Sequence, residues 1–149
     1  MKIKLTKEEL DKCKYIAERW DTTTGKYAIK YKQKNKKVFG DTLAGVKSEM
    51  AVAKYLEIPY DGDIGIAGNF DVGGKYEVRG TTYKNGCLLL HPEDKPAPYI
   101  LVIEDGDTFE LAGWIMGEEG KKKEYWREDV RSPCYFVPQY RLNDISLLK

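Results

Sequence analysis

Apolar residues in this chain recur first with the period of a helix and later with the period of a strand. Thr6 and Glu9 form a capping-box pattern, so we expect a first helix that begins after Thr6 and is broken by Asp21–Gly25. A second helix is predicted from about Asp41 or Thr42 to Leu56, ending before Pro59. The apolar stripes of the two helices are Leu10, Cys13, Ile16, Ala17 and Trp20, then Leu43, Val46, Met50, Val52, Ala53 and Leu56.

Beyond Asp61 the pattern changes to short strands separated by turn residues. Lys84–Gly86 and Asp105–Asp107 have the composition of hairpin connections, and Gly113 and Gly117 indicate strand bulges or close packing. Helices followed by a meander predict an α+β fold, with N-terminal helices packed on a mixed or antiparallel sheet. Because no long linker is visible, we expect one domain over residues 1–149. The predicted strands are Phe70–Val72, Tyr76–Thr81, Cys87–His91, Tyr99–Glu104 and Phe109–Met116.

Charge is balanced over the chain but concentrated locally. The net charge is +1, which excludes a uniformly basic nucleic-acid binder. Lys26–Lys37 nevertheless contains six lysines and no acid, and its pattern fits either a strand or a mobile basic arm. The candidate nucleic-acid contacts in it are Lys26, Lys30, Tyr31, Lys32, Lys34, Lys36 and Lys37. Lys121–Lys123, followed by Tyr125 and Trp126, is a second and weaker basic candidate.

The cysteines and the N-terminus indicate an intracellular protein. The three cysteines are far apart and lack CxxC spacing, so reduced thiols are expected rather than a disulfide framework or a zinc site. Residues 1–10 carry charges throughout, and no stretch approaches the length of a membrane span. We therefore expect a soluble, cytoplasmic protein.

Four residues form the candidate site. Glu49 falls inside the apolar sector of the second helix, where an ionised carboxylate needs a cation, a metal or hydrogen-bond donors. Asp71 and Glu77 flank a Gly73–Gly74 reversal, and strand alternation sends Glu77 and Arg79 to one face. A two-residue turn would separate the two acids, whereas a three-residue loop would bring both to one face. Two carboxylates and a cation at a hairpin suit a divalent ion held against a phosphate.

The order of helix acid Glu49, hairpin acid Asp71 and strand motif Glu77-Val78-Arg79 resembles the PD-(D/E)XK nuclease superfamily. The resemblance covers roughly residues 45–90. Residues 45–53, Gly-Val-Lys-Ser-Glu-Met-Ala-Val-Ala, look like the glutamate-bearing helix of phage and mobile-element proteins of this type. The resemblance to this superfamily implies a restriction-endonuclease-like core and hydrolysis of DNA, in the host cytoplasm if the protein is phage-encoded. Small domains of this superfamily often work as homodimers.

The resemblance also assigns roles residue by residue. Asp71 would be the central metal ligand and Glu77 the second, with the main-chain carbonyl of Val78 completing the set. Glu49 would reach the ion directly or through water. Magnesium or manganese is the implied cofactor, since hard divalent ions prefer such oxygen ligands.

The chain departs from the family pattern at Arg79, where the family has lysine. Arginine stays protonated and cannot act as a base, although its bidentate fork can neutralise a phosphate. Lys75, Lys47 or Lys84 are alternative sources of the missing amine.

Plainer interpretations remain open beside the nuclease. Asp71 and Glu77 also fit solvent-facing hairpin acids, Glu49 fits an acid satisfied by a core tyrosine or lysine, and Arg79 fits a cross-strand ion pair. His91, the single histidine, fits a structural role. At the level of function, the alternatives are an inactive nucleic-acid- or protein-binding module on the same fold, and an interaction protein with no nucleic-acid role.

Overall fold

The computed structural model describes residues 1–23, 36–62 and 71–149, with side chains at 1–19, 42–62 and 71–149. Within these ranges, three α-helices and seven β-strands form an α+β fold, as the sequence predicts. The helices are α1 (Lys7–Thr23), α2 (Lys36–Leu56) and the short α3 (Gly117–Gly120). The strands are β1 (Lys2–Lys4), β2 (Glu77–Thr81), β3 (Leu88–Leu90), β4 (Pro98–Asp105), β5 (Thr108–Met116), β6 (Trp126–Arg127) and β7 (Cys134–Val137).

Helix α1 begins where its capping box predicts. The Thr6 N–H donates to Glu9 Oε1 over 2.8 Å, and the Glu9 N–H donates to Thr6 Oγ1 over 3.1 Å. At its other end the helix is described to Thr23, which lies within the predicted break at Asp21–Gly25.

Helix α2 ends at Leu56 as predicted but begins at Lys36, ahead of the predicted start at Asp41 or Thr42. Gly40 falls inside the added turn, and an interior glycine costs only about 1 kcal/mol. At the C-terminus, Glu57 adopts a positive φ of 57°, and the Ile58 N–H donates to the Ala53 carbonyl over 2.9 Å. This Schellman motif satisfies the last carbonyls of the helix. Within the described residues, no helix is long and apolar enough to cross a membrane.

The larger sheet is mixed and has the strand order β1-β5-β4-β2. Strand β4 pairs antiparallel with β5 through the predicted Asp105–Asp107 hairpin, and β2 pairs parallel with β4. Strand β3 leaves this sheet and joins β7 and β6 in a second, three-stranded sheet. The prediction of a β2–β3 hairpin at Lys84–Gly86 is therefore wrong, because turn residues reverse the chain without fixing its strand partner.

Strand β4 is buried on both faces and separates two apolar clusters. Ile100 and Val102 pack with the residues of α1 and α2, whereas Tyr99 and Leu101 pack with those of the second sheet. A strand covered on both faces has a nearly continuous apolar sequence, and β4 fits that rule. The helices and the second sheet thus cover opposite faces of the larger sheet.

Gly113 lies at a bulge of β5, one of the two roles that the sequence indicates for this glycine. The β4–β5 register shifts between Leu101 and Val102, and Gly113 has a φ of 152°. A Cβ at Gly113 would lie 2.7 Å from the Cβ of Leu142 and 2.8 Å from the Asn143 carbonyl oxygen. The bulge therefore gives the C-terminal segment a close approach to β5.

Candidate functional site

The hairpin before β2 has the longer of the two loops that the sequence allows. Val72 and Tyr76 exchange two backbone hydrogen bonds of 3.0 Å each, so residues 73–75 form a three-residue loop. Gly73 and Gly74 have φ values of 61° and 65°, which glycine adopts without steric cost. This register puts Asp71 opposite Glu77, as the three-residue alternative predicts.

Both acids point away from the helices. Val72 and Tyr76 pack into the helix-side cluster, so their neighbours Asp71 and Glu77 face the other side of the hairpin. The parallel register aligns Glu77 with Tyr99, which belongs to the cluster of the second sheet. Glu77 is only 7% exposed. A nearly buried carboxylate beside a second carboxylate is costly unless cations or donors compensate it.

Asp71 carries the electrostatic consequence of this arrangement. Burial raises the pKa of Asp71 to about 6, and the charge of Glu77 and a hydrogen bond with it add to the rise. The Val78 N–H donates to Asp71 Oδ2 over 2.9 Å and opposes the rise. The two carboxyl groups therefore favour a shared proton or an added cation over two free negative charges.

Glu77 has a cationic partner from another part of the chain. Lys95 Nζ lies 2.8 Å from Glu77 Oε1. Lys95 precedes β4, and the parallel pairing of β2 with β4 brings this segment beside Glu77. The sequence suggests Lys75, Lys47 or Lys84 as the source of the missing amine, but the lysine ion-paired with Glu77 is Lys95. A meander of consecutive strands does not predict that the segment before β4 lies beside Glu77.

Arg79 lies on the same face as Glu77 and is also partnered. Its Nη2 lies 3.1 Å from Asp94 Oδ2, and its guanidinium is 5.0 Å from the centre of the Tyr99 ring. Burial and the nearby Asp94 raise the pKa of Tyr99 to about 12, so this ring keeps its proton near neutral pH. The sequence allows an ion pair with an acid on a neighbouring strand; the observed partner, Asp94, instead lies in the loop before β4.

Glu49 is held by a tyrosine, as one alternative allows. The Tyr60 O–H donates to Glu49 Oε2 over 3.1 Å, and Tyr60 is 8% exposed. Burial and the Glu49 charge raise the pKa of Tyr60, so its hydroxyl remains a donor. Within the described residues, no group of three or more Asp, Glu, His or Cys side chains is arranged to hold a metal. The structure thus brings Asp71 and Glu77 together, and Glu49 does not form a three-ligand group with them.

Most of the predicted basic segment lies outside the described residues. Lys26, Lys30, Tyr31, Lys32 and Lys34 belong to this part. The backbones of Lys36 and Lys37 form the first turn of α2, but their side chains are not described. In the second basic candidate, Lys121 donates to the carbonyls of Pro92 and Asp94. That lysine ties down the loop that carries Lys95.

The donor set fits a hard divalent ion. Magnesium is usually held by one or two carboxylates, completed by water and substrate phosphate. Asp71 and Glu77 supply the carboxylates, and β2 is the last strand of the larger sheet within the described residues. The Val78 N–H points to Asp71, so the Val78 carbonyl faces the same edge, because the two groups of a strand residue lie on one side.

Comparison with known proteins gives no match to this chain among protein-family models, curated proteins or solved structures. The features of this chain that bear on function are the Asp71–Glu77 pair and the two cations beside it.

Proposed function

We propose that the protein is a small metal-dependent nuclease that hydrolyses DNA phosphodiester bonds on a restriction-endonuclease-like core of the PD-(D/E)XK type. The observation that carries this proposal is the Val72–Tyr76 pairing, which sets Asp71 opposite Glu77 on one face. A pair of adjacent, partly buried carboxylates, one of which has a raised pKa, is typical of a functional site.

Asp71 and Glu77 would hold the magnesium or manganese ion, together with the Val78 carbonyl. When bound, the ion supplies polarisation of the phosphodiester and a lowered pKa for an attacking water. The Val78 N–H fixes one oxygen of Asp71, and a bound ion would replace the hydrogen bond that the carboxyl group shares with Glu77. Glu49, oriented by the Tyr60 hydroxyl, would act through water.

The two cations divide the work that one lysine does in the family pattern. Lys95 brings an amine to Glu77, where it can donate a hydrogen bond to a water or a phosphate oxygen. Arg79 keeps a permanent charge on the same face, and its planar fork suits a phosphate. The departure at Arg79 is thus compensated by a lysine from the segment before β4.

A second candidate is a binding module that keeps this fold without hydrolysis. The ion pair between Arg79 and Asp94 favours it, because this arginine already has a carboxylate partner in place of a phosphate. Such a module could bind nucleic acid or a protein, and it would need no divalent ion.

The deciding experiment incubates the protein with a panel of single-stranded, duplex and branched DNA in the presence of magnesium or manganese. Wild type is compared with Glu77→Gln and with Glu8→Gln, which alters an exposed acid on α1. The nuclease proposal expects metal-dependent cleavage by wild type and Glu8→Gln and its loss in Glu77→Gln. Absence of cleavage on every substrate would leave the binding module, and equal cleavage by all three proteins would contradict the assigned site.

A further inference from the structure

A groove lies between β2 and the second sheet, beside the candidate site. It has a volume of about 670 Å³, and Arg79 is one of the residues that line it. Because Arg79 and Glu77 lie on one face of β2, the groove adjoins the carboxylate pair. The residues used below are Arg79, Tyr83, Lys84, Arg127 and Phe136, all of which line the groove.

The charge of the groove suits a polyanion. Arg79, Lys84 and Arg127 line it, and its described lining contains no aspartate or glutamate. A second cavity, of about 800 Å³, is lined by three acids, Glu104, Asp105 and Glu110, and by two lysines, Lys2 and Lys84. Phosphate groups would therefore meet a more favourable charge in the first groove than in the second.

The groove also presents flat side chains to its ligand. Tyr83 is 77% exposed, so its ring is accessible to a ligand in the groove. The Arg127 guanidinium lies 4.9 Å from the centre of the Phe136 ring and donates two hydrogen bonds to the Asp129 carboxylate, 3.1 and 2.8 Å long, which hold it in place. Aromatic rings and guanidinium planes are the surfaces on which unpaired bases stack.

We propose that this groove binds a single-stranded segment of DNA, about one or two nucleotides long, whose next phosphate lies at Asp71 and Glu77. Its volume falls within the roughly 300–1,000 Å³ of sites for small organic ligands. A duplex hides its base faces and cannot use Tyr83 or Phe136 for stacking, so the groove selects an unpaired strand. The inference rests on the proposed nuclease function and specifies its substrate as single-stranded or locally unpaired.

The test measures binding without catalysis. Fluorescence anisotropy follows a labelled twelve-nucleotide poly-dT strand, and separately a duplex of equal length, in EDTA over a range of NaCl concentrations. The groove variants are Tyr83→Ala, Phe136→Leu and Lys84→Gln. The matched controls are Tyr15→Ala and Lys14→Gln, which change exposed residues of α1 on the opposite side of the larger sheet.

Wild type should bind the single strand more tightly than the duplex. Tyr83→Ala and Phe136→Leu should each weaken single-strand binding about 5- to 10-fold, since each removes a stacking surface. Lys84→Gln should reduce the slope of log K against log salt by about 0.7, because one phosphate contact is lost. Both α1 controls should bind within about twofold of wild type, as neither changes a stacking surface or a groove charge.

The inference is overturned if the single strand does not bind, if the duplex binds as well, or if the groove variants behave like their controls. Should Phe136→Leu fail to fold, Tyr83→Ala decides alone, because that ring is mostly in solvent. The readout is also separate from cleavage. If the protein cleaves no DNA but the groove variants bind the single strand more weakly, the groove proposal stands and the nuclease proposal fails. If the protein cleaves DNA but the groove variants bind normally, the nuclease proposal stands and the groove proposal fails.

Discussion

Lys95 Nζ and Glu77 Oε1 lie 2.8 Å apart, although Glu77 begins β2 and Lys95 lies in the segment before β4. The parallel pairing of β2 with β4 produces this contact by aligning Glu77 with Tyr99, shortly after Lys95. The ion pair offsets part of the cost of a carboxylate that is 7% exposed. It also brings to the candidate site the amine that Arg79 does not provide.

Replacing this amine should separate catalysis from metal binding. We expect Lys95→Met to lower the rate of DNA cleavage by about 100-fold or more, the usual effect of losing a group that handles a proton or a developing charge. Manganese affinity should stay within a few fold, because Lys95 pairs with Glu77 and supplies no ligand atom. Steady-state cleavage rates and manganese titrations measure the two effects.

The control for Lys95 is Lys75→Met, which removes an exposed lysine from the Gly73–Lys75 loop. Lys75 lies 5.3 Å from the centre of the Tyr76 ring and should be dispensable for cleavage. If Lys75→Met lost the activity and Lys95→Met kept it, the amine would be assigned to the wrong lysine.

Asp71→Asn should stabilise the fold above neutral pH. The pKa of Asp71 is raised from 3.8 to about 6, so the folded state binds this proton more firmly than the unfolded state. Stability therefore falls as the pH rises from about 4 to about 6, and the loss is complete above this window. The amide of asparagine carries no charge and can still accept from the Val78 N–H.

Urea denaturation in EDTA measures this effect at two pH values. At about pH 7.5 the variant should gain on the order of 1–3 kcal/mol in free energy of unfolding, and at about pH 4 nearly nothing. A variant that is less stable than wild type at the higher pH would contradict the cost of burying a charged Asp71 beside Glu77.

The Tyr60–Glu49 hydrogen bond should appear as a coupling energy. Tyr60→Phe removes the hydroxyl that donates to Glu49 Oε2 and should cost about 1–3 kcal/mol, since a donor to a charged group is lost from a buried site. Glu49→Gln weakens the same contact. In a double-mutant cycle by chemical denaturation, we expect a coupling of about 1 kcal/mol, whereas strictly additive losses would show that the two side chains act independently.

Gly113→Ala should destabilise the protein strongly. Its Cβ would lie 2.7 Å from the Cβ of Leu142, and the φ of 152° is rarely adopted by residues with a side chain. Because a strained backbone and a steric contact combine, we expect a loss of about 2–4 kcal/mol in the free energy of unfolding. Gly106→Ala is the comparison for a positive φ alone, since a Cβ there has no neighbour within 4 Å. Equal losses in the two variants would argue against close packing at Gly113.

Features set by neighbouring residues could be predicted from the sequence. The reciprocal hydrogen bonds of Thr6 and Glu9 involve residues three apart, so their identities suffice to locate the start of α1. The sequence allows a two-residue or a three-residue loop after Val72. Only the three-residue loop, which is the one observed at residues 73–75, turns Asp71 and Glu77 to the same face. Helix α2 was misjudged at its start because Gly40 is a weak breaker.

Features set by distant pairing could not be predicted. The β2–β4 register and the departure of β3 into a second sheet depend on which apolar faces meet, and turn residues carry no such information. The sequence therefore does not predict that Lys95 and Asp94 lie at the site, since both reach it through that pairing. Strand β1 was missed because three residues with two lysines give no strand pattern.

The most direct measurement is a manganese titration by isothermal calorimetry and electron paramagnetic resonance on wild type, Asp71→Asn, Glu77→Gln and the surface control Glu8→Gln. If Asp71 and Glu77 together form the metal centre, wild type and Glu8→Gln bind manganese at this centre, and each site variant weakens that binding by at least about tenfold. Magnesium should compete for the same site. Manganese binding that is absent from wild type, or unchanged in Asp71→Asn and Glu77→Gln, would contradict a metal centre at this hairpin.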